Sequence, residues 1–313
     1  MLTEAQNFAV VQTELDDMFY QKFDYDATTP GIATARTAEL FKPINTTHAS
    51  YIQEVFKGSG LFPKIGETQT VPTSTPHVAN KQTVLVADFA SSIEVSKNFF
   101  DDNLHGVWAK AVEDFAMVAR VTSDDNAFKV FRGGFTTTLT ADGSALFSTH
   151  TLIGGGTVVN NGTGALTPDN LYTGIVALRQ QKNQAGVVLG NVPSILLVGS
   201  ALFKKAIEIT QSALLADSAD NNLNVYRGIY GLKVMSSPWL DANIGSGTTG
   251  SDTAWYLLSN NHSVSRLVRQ GIQTYLRDYI YSNNRTYNYG ASFREEVFCS
   301  DYCGSYGSTG TTA

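Results

Sequence analysis

Charge is scarce in this chain. Of 313 residues only 16% are Asp, Glu, Lys or Arg, against roughly a quarter in ordinary soluble domains. The 22 basic side chains are outnumbered by 28 acidic ones, leaving a net charge of -6. No clustered Lys and Arg mark the electrostatic footprint of a base-reading DNA protein, which leaves at most passive, sequence-blind contact with nucleic acid. Cysteine is nearly absent. Cys299 and Cys303 have three residues between them, too few ligands for a tetrahedral zinc site and the wrong spacing for a Cys-x-x-Cys redox pair. Two reduced thiols are expected, with a metal or disulfide shared between chains as the alternative. No run of eighteen apolar residues exists, so no membrane span is expected. The opening Met1-Leu2-Thr3-Glu4-Ala5 lacks the basic patch and apolar run of a secretory signal, so a cytosolic protein is expected.

What is present is a globular composition. Hydrophobic residues make up 42%, enough to bury the core of one large domain or two modest ones. Abundant Thr, Asn, Ser and Gly with little charge suit surfaces that partners will cover.

Between Thr46 and Asp88 the chain breaks helical patterning and offers no apolar face wide enough for its own core. Pro63, Pro72 and Pro76 lie within it, and Gly58-Ser59-Gly60 signals a turn between alternating runs at 51–57 and 83–89. This reads as a long projecting hairpin. Such a ribbon is marginal in water by itself, so it must pack on a neighbour. Before it, residues 3–23 predict a helix: Thr3 with Gln6 can form a capping box, and Phe8, Val11, Leu15, Met18 and Phe19 recur at helical spacing. Irregular sequence from Asp24 to Asn45 makes that helix an arm separated from the body.

After the hairpin, Phe100, Leu104, Val107, Trp108, Ala111, Val112, Phe115, Val118 and Ala119 hold a 3.6-residue period, predicting a long helix over 97–121, about 35 Å at 1.5 Å per residue. Asp124-Asp125 closes it, and loops with short strands are expected through Gly164, with apolar pieces only at 128–131 and 145–147. Thr167-Pro168-Asp169 is a helix start, with Leu171, Ile175 and Leu178 as its buried face and Gly186 as its end. Strand 194–198, helix 201–210 behind a Ser200 cap, and strands 232–236 and 255–259 follow. Long strands at 272–281 and 285–297 flank a turn at 282–284. From Gly304 the low-complexity tail reads as loose.

Arm, long hairpin, spine-like helix, inserted α/β unit and closing strands, in that order, resemble the major capsid proteins of tailed phages, the Hong Kong 97 fold. The stretch Asp142-Gly143-Ser144-Ala145-Leu146-Phe147-Ser148-Thr149-His150, followed by Gly154-Gly155-Gly156-Thr157 and Asn160-Asn161, looks like the Mu-like major head subunit group. Pro193 to Val198 and Ser236-Ser237-Pro238-Trp239-Leu240 resemble strands of that family's axial domain. The resemblance covers essentially the whole chain. It departs from the family in two places. Only the short helix before Asp24 stands where some relatives carry a removable scaffolding segment, and the tail after Cys303 has no assigned counterpart.

The resemblance implies an α+β subunit: an N-terminal arm at 1–45, an extended hairpin loop at 46–88, a peripheral domain from 89–165 plus 265–303 containing the spine helix, an axial domain at 166–264, and a flexible tail at 304–313. It implies homo-hexamers and homo-pentamers tiling an icosahedral shell in the virion, assembled in the bacterial cytoplasm. Portal and separate scaffolding proteins would be partners, packaged double-stranded DNA would be contacted non-specifically, and neither a membrane nor a cofactor is involved. The hairpin tip, with Phe56, Lys57, Leu61, Phe62, Lys64 and Ile65, is the expected intersubunit contact, because a free-standing tip should not expose such apolar residues. Phe100, Leu104, Trp108 and Phe115 are expected to be spine-helix core. Some relatives join a lysine of this loop to an asparagine of another subunit; Lys57 and Lys64 make that chemistry conceivable, although solvated lysines are the simpler reading.

Catalysis finds little support. His48, His77, His105, His150 and His262 occupy five different contexts and show no metal spacing, so hydrogen-bonded or solvated histidines are expected. His105 is placed on the exposed side of the long helix. Gly154-Gly155-Gly156-Thr157 lacks the Gly-Lys-Ser/Thr ending of a phosphate cradle, and Gly245-Ser246-Gly247 is not a nucleophile elbow. An orphan α/β enzyme and a tail-tube component remain as alternatives; a tube protein would stack into rings without a long spine helix.

Overall fold

A computed structural model describes residues 4–24, 31–73, 77–98, 107–212, 224, 226–227, 231–245, 247, 249–277 and 285–312. Helix α1 spans Glu4–Phe23. Strands β1 (Lys42–Asn45), β2 (Ser50–Phe56), β3 (Val78–Leu85) and β4 (Ala87–Ser96) follow, and then α2 (Val107–Arg132).

The long helix runs eleven residues past its expected end. Asp124 and Asp125 do not break it because both are paired. Asp124 Oδ1 accepts the Ala35 N–H at 2.8 Å, and Asp125 holds the buried Arg132 guanidinium at 2.7 Å. Phe128 and Phe131, expected in a loop or short strand, are fully buried helical residues. Of the expected spine-helix core, Trp108 and Phe115 are buried in the subunit, whereas Phe100 and Leu104 lie outside the described residues, as does His105.

The two halves of α2 serve different cores. Trp108, Val112, Phe115 and Ala116 pack with Leu15, Phe19 and Phe23 of α1 and with Tyr289. Ala127, Phe128, Val130 and Phe131 join the largest cluster, together with Phe41, Leu146, Phe147 and Tyr256. Helix α1 is therefore no detached arm: Phe19 is fully buried, 5.9 Å from the Phe115 ring and 6.2 Å from that of Tyr289. Leu15, Phe19 and Phe23 of its apolar stripe find partners within their own chain.

Strands β5 (Thr149–Thr151), β6 (Thr157–Val159) and β7 (Asn161–Gly164) precede α3 (Pro168–Arg179), β8 (Pro193–Val198), α4 (Ser200–Gln211), β9 (Lys233–Ser236), a short 3-10 turn at Pro238–Leu240, β10 (Trp255–Ser259), β11 (Val264–Arg277), β12 (Thr286–Cys299) and β13 (Ser305–Thr312). The Thr167 side chain caps α3 as predicted, accepting from the Asn170 N–H, but that helix ends at Arg179, well before Gly186. At α4 the expected Ser200 cap is replaced by Asp241, whose Oδ1 accepts the Ser200 N–H at 2.7 Å.

Two sheets organise the body. One has the order β1-β11-β12-β4, with β1 parallel to β11 and the other pairs antiparallel. Because strand side chains alternate faces, Tyr289, Ala291, Phe293 and Glu295 of β12 all turn toward α2, while Phe298 packs oppositely against Val84 and Leu267. The expected turn at 282–284 lies outside the described residues. The other sheet has the order β7-β13-β10-β8-β9. It is buried on both faces: Ile195 and Leu197 look to the α2 side, whereas Leu196 and Val198 look to α3 and α4. That is why β8 reads as a continuous apolar run.

The tail is the clearest correction. Residues 305–312 form an interior strand between β7 and β10, not a flexible end, and Tyr306 packs 5.7 Å from the Trp255 ring. The sheet thus draws strands from both sides of the 166–264 segment.

Candidate assembly surface

The extended segment begins as an orderly ribbon. Strands β2 and β3 pair antiparallel from Ser50 opposite Leu85 to Phe56 opposite Val78. The predicted first arm is present. The second lies earlier than the expected 83–89, because residues from Ala87 onward join the four-stranded sheet instead. The ribbon is anchored at its base: Val84 is buried with Leu267 and Phe298, Tyr51 packs on the Phe298 ring, and Gln82 Nε2 donates to the Leu139 carbonyl at 2.9 Å. Lys81 and Glu54 pair across the strands at 2.8 Å.

Beyond Phe56 the ladder stops. The Lys57 N–H still reaches the His77 carbonyl at 3.0 Å, and the described part of 58–76 carries no strand. Gly58 is not the centre of a tight turn but the point where the chain leaves the ladder, at φ +79° and so close to Asn183 that a Cβ would stand 2.9 Å from its amide nitrogen. Within the described part of the loop the Gln69 N–H meets the Gly66 carbonyl in a turn. Apolar side chains stand in water along it: Phe56 is 59% exposed, Leu61 81%, Phe62 95%, Ile65 45% and Val71 65%. Lys57 is half-buried and Lys64 exposed. All six expected contact residues therefore stay away from their own core. Burying a Leu or Phe fully is worth about 1.5–3 kcal/mol each, so this loop holds an unmet gain that a neighbour can supply.

Sequence reasoning missed other exposed apolar positions. Met117 and Val118 of α2 are 50% and 51% exposed, and Ile153, Val188, Leu189 and Val192 stand out near Asn183. The run Gly186-Val187-Val188-Leu189, apolar without alternation, was the available signal for the latter group.

The buried histidines are held by hydrogen bonds. His150 is fully buried, stacked 4.4 Å from Tyr302, with Nδ1 2.7 Å from Asp142 Oδ2 and Nε2 3.2 Å from the Leu146 carbonyl. Burial alone would raise the Asp142 carboxyl, but hydrogen bonds from His150, Thr140 and Ser144 prevail and bring it down to about 2. The His262 ring is buried against the Glu39 carbonyl at 2.9 Å, and burial pushes its pKa down. Cys299 and Cys303 are free thiols, and burial pushes Cys299 up to about 12. Among the described residues no group of three or more His, Cys, Asp or Glu side chains could hold a metal, and no helix is long and apolar enough to cross a membrane.

A spine helix packed on a four-stranded sheet, a second sheet with α2 on one face and α3 and α4 on the other, and an anchored two-stranded ribbon whose loop stands in water together make up the geometry. A family model described as phage capsid protein matches residues 80–295, more than half of the chain. The chain belongs to the phage capsid protein family. No curated protein sequence matches it significantly. Solved structures share the fold of this capsid protein at low identity. The capsid of the cyanophage P-SCSP1u is 11% identical, with 93% of this chain and 92% of that one covered at a TM-score of 0.57. The mature capsid of bacteriophage PhiM1 is 11% identical over 91% and 89%, at 0.54. The capsid of a native GTA particle is 17% identical over 90% and 93%, at 0.54. The capsid protein thus has the Hong Kong 97-like fold and is a structural component of a phage shell.

Proposed function

We propose that many copies of this capsid protein assemble, as hexamers and pentamers, into the closed icosahedral shell of a tailed-phage head, and that the chain acts by this assembly rather than by catalysis. The observation that carries the reading is the loop after β2. An anchored ribbon delivers Phe56, Leu61, Phe62 and Ile65 into solvent, a state that a subunit surrounded by copies of itself relieves by lending the loop to one neighbour and receiving one from another. Standard protein interfaces bury about 1,200–2,000 Å², and a subunit touching several neighbours exceeds that in sum.

In this reading the peripheral part is built from α2 and the four-stranded sheet, and the axial part from the five-stranded sheet with α3 and α4. The assignment to the Mu-like group rests on the 142–150 motif. Portal and scaffolding proteins complete assembly in the host cytoplasm. With a net charge of -6, contact with packaged double-stranded DNA is loose and sequence-blind.

The test replaces 58–76 by a short Gly-Ser linker in the full chain. The expected product is a folded, soluble subunit that forms no shells under electron microscopy. Shells at wild-type yield and heat stability would sink the role given to the loop.

A further inference from the structure

An apolar loop in water needs a concave apolar receiver, and the same chain carries one. Between α2 and strands β4 and β12 lies a notch of about 120 Å³ lined chiefly by Phe89, Phe115, Val118, Ala119, Ala291 and Phe293. Phe89 and Phe293 stack at 4.9 Å to form one wall. The Thr122 hydroxyl, the polar group on the helical wall, is already bonded to the Val118 carbonyl at 2.8 Å, so the notch presents no strong polar demand. An apolar cavity of roughly 150 Å³ takes up a benzene ring in an engineered protein, which sets the scale: this notch suits one phenyl group. No described side chain of the same subunit fills it. Phe62, 95% exposed, is not docked there in its own chain, and its loop leaves the body beside Asn183, on the side of the five-stranded sheet. The charges also match. Lys64 lies two residues beyond Phe62, and the exposed Asp114 sits one helical turn before Val118, on the same stripe of α2.

We propose that Phe62 of one copy seats in this notch of a second copy, with Lys64 meeting Asp114 on its rim. The proposal rests on the shell-assembly reading and names the receiving surface. It gives each subunit one knob and one socket on different faces, a heterologous contact that closes into a ring when the rotation between copies permits.

Phe62→Cys and Val118→Cys, each in the full chain with Cys303→Ser, are co-expressed, and the purified particles are treated with diamide, which takes up the two electrons and two protons as a disulfide forms. The expected result is a dimer band on a non-reducing gel that neither variant gives alone; a chain carrying both cysteines then gives a ladder of higher multimers. Should Val118→Cys fail to assemble, Ser91→Cys on the opposite wall replaces it. In addition, Lys64→Glu causes loss of particles and Asp114→Lys in the same chain restores them. Intact particles that yield only monomer, or a dimer from Phe62→Cys alone, overturn the knob and socket while leaving shell assembly standing. Wild-type protein that forms no particles overturns both.

Discussion

The part-buried Asp142 pairs with the fully buried His150, Oδ2 to Nδ1 at 2.7 Å, inside a loop that also contributes Leu146 and Phe147 to the main core. The carboxylate is the hub: it also accepts from Thr140 Oγ1 at 2.5 Å and from the Ser144 N–H at 2.9 Å.

The pair has a defined pH signature. The Asp142 carboxyl ionises at about 2 when folded, against an ordinary value of 3.8. Between those values the unfolded chain binds more protons, so the pair's contribution is complete above about pH 4 and is lost as pH falls through 2. Asp142→Asn is expected to lower stability at pH 7 and to flatten the decline between pH 4 and pH 2, measured by urea unfolding across that range. An unchanged slope would show that other carboxylates govern it.

Glu295 is a second buried anchor. Its side chain is 3% exposed and holds Arg266 through Nε at 2.9 Å and Ser123 Oγ at 2.6 Å, joining α2 to β11 and β12. Removing one partner of a buried ion pair strands the other, at a cost of about 3–5 kcal/mol. Glu295→Ala should lower the urea midpoint accordingly with an unaltered slope; a loss below about 1 kcal/mol would mean that solvent already shields Arg266.

The final strand supports an interior position. Tyr306 is buried at 6% exposure, and a Cβ on Gly307 would stand 2.7 Å from the Phe147 ring. Tyr306→Ala is expected to cost about 3–5 kcal/mol, in line with other large-to-small aromatic changes, and Gly307→Val to reduce soluble expression. Truncation after Cys303 should give insoluble protein; a soluble, cooperatively melting product would contradict the interior role of 305–312.

Helix α1 and the loop should separate stability from assembly. Phe19→Ala empties a fully buried site and is expected to lower subunit stability by about 3–5 kcal/mol. Phe62→Ala should leave the melting temperature of the unassembled subunit within error while reducing particle yield. If the two substitutions shift the melting temperature alike, Phe62 packs within its own chain.

Several elements were legible beforehand for local reasons. The apolar period placed Trp108 and Phe115 on one stripe of a helix, Thr167-Pro168-Asp169 marked a helix start through capping, and the run from Ser194 to Val198 announced a strand. The exposed loop residues were legible too, because a segment broken by prolines cannot gather Leu61, Phe62 and Ile65 into a core. The ribbon's register was not, since pairing between β2 and β3 depends on contacts with Leu267 and Phe298, far along the chain from both strands. Nor was the notch, whose walls come from three separate elements.

What the amino-acid order determined alone was periodicity, capping and the stretches unable to satisfy themselves, all of which depend on neighbours a few residues apart. Tertiary structure decided the rest. Asp124-Asp125 looks like a helix end until Ala35 and Arg132 arrive to satisfy both carboxylates. Gly304 onward looks unstructured until Gly307 proves to be what fits against Phe147 while Tyr306 packs on Trp255. In each case the deciding partner is distant in sequence, and its energy exists only once the chain has folded around it.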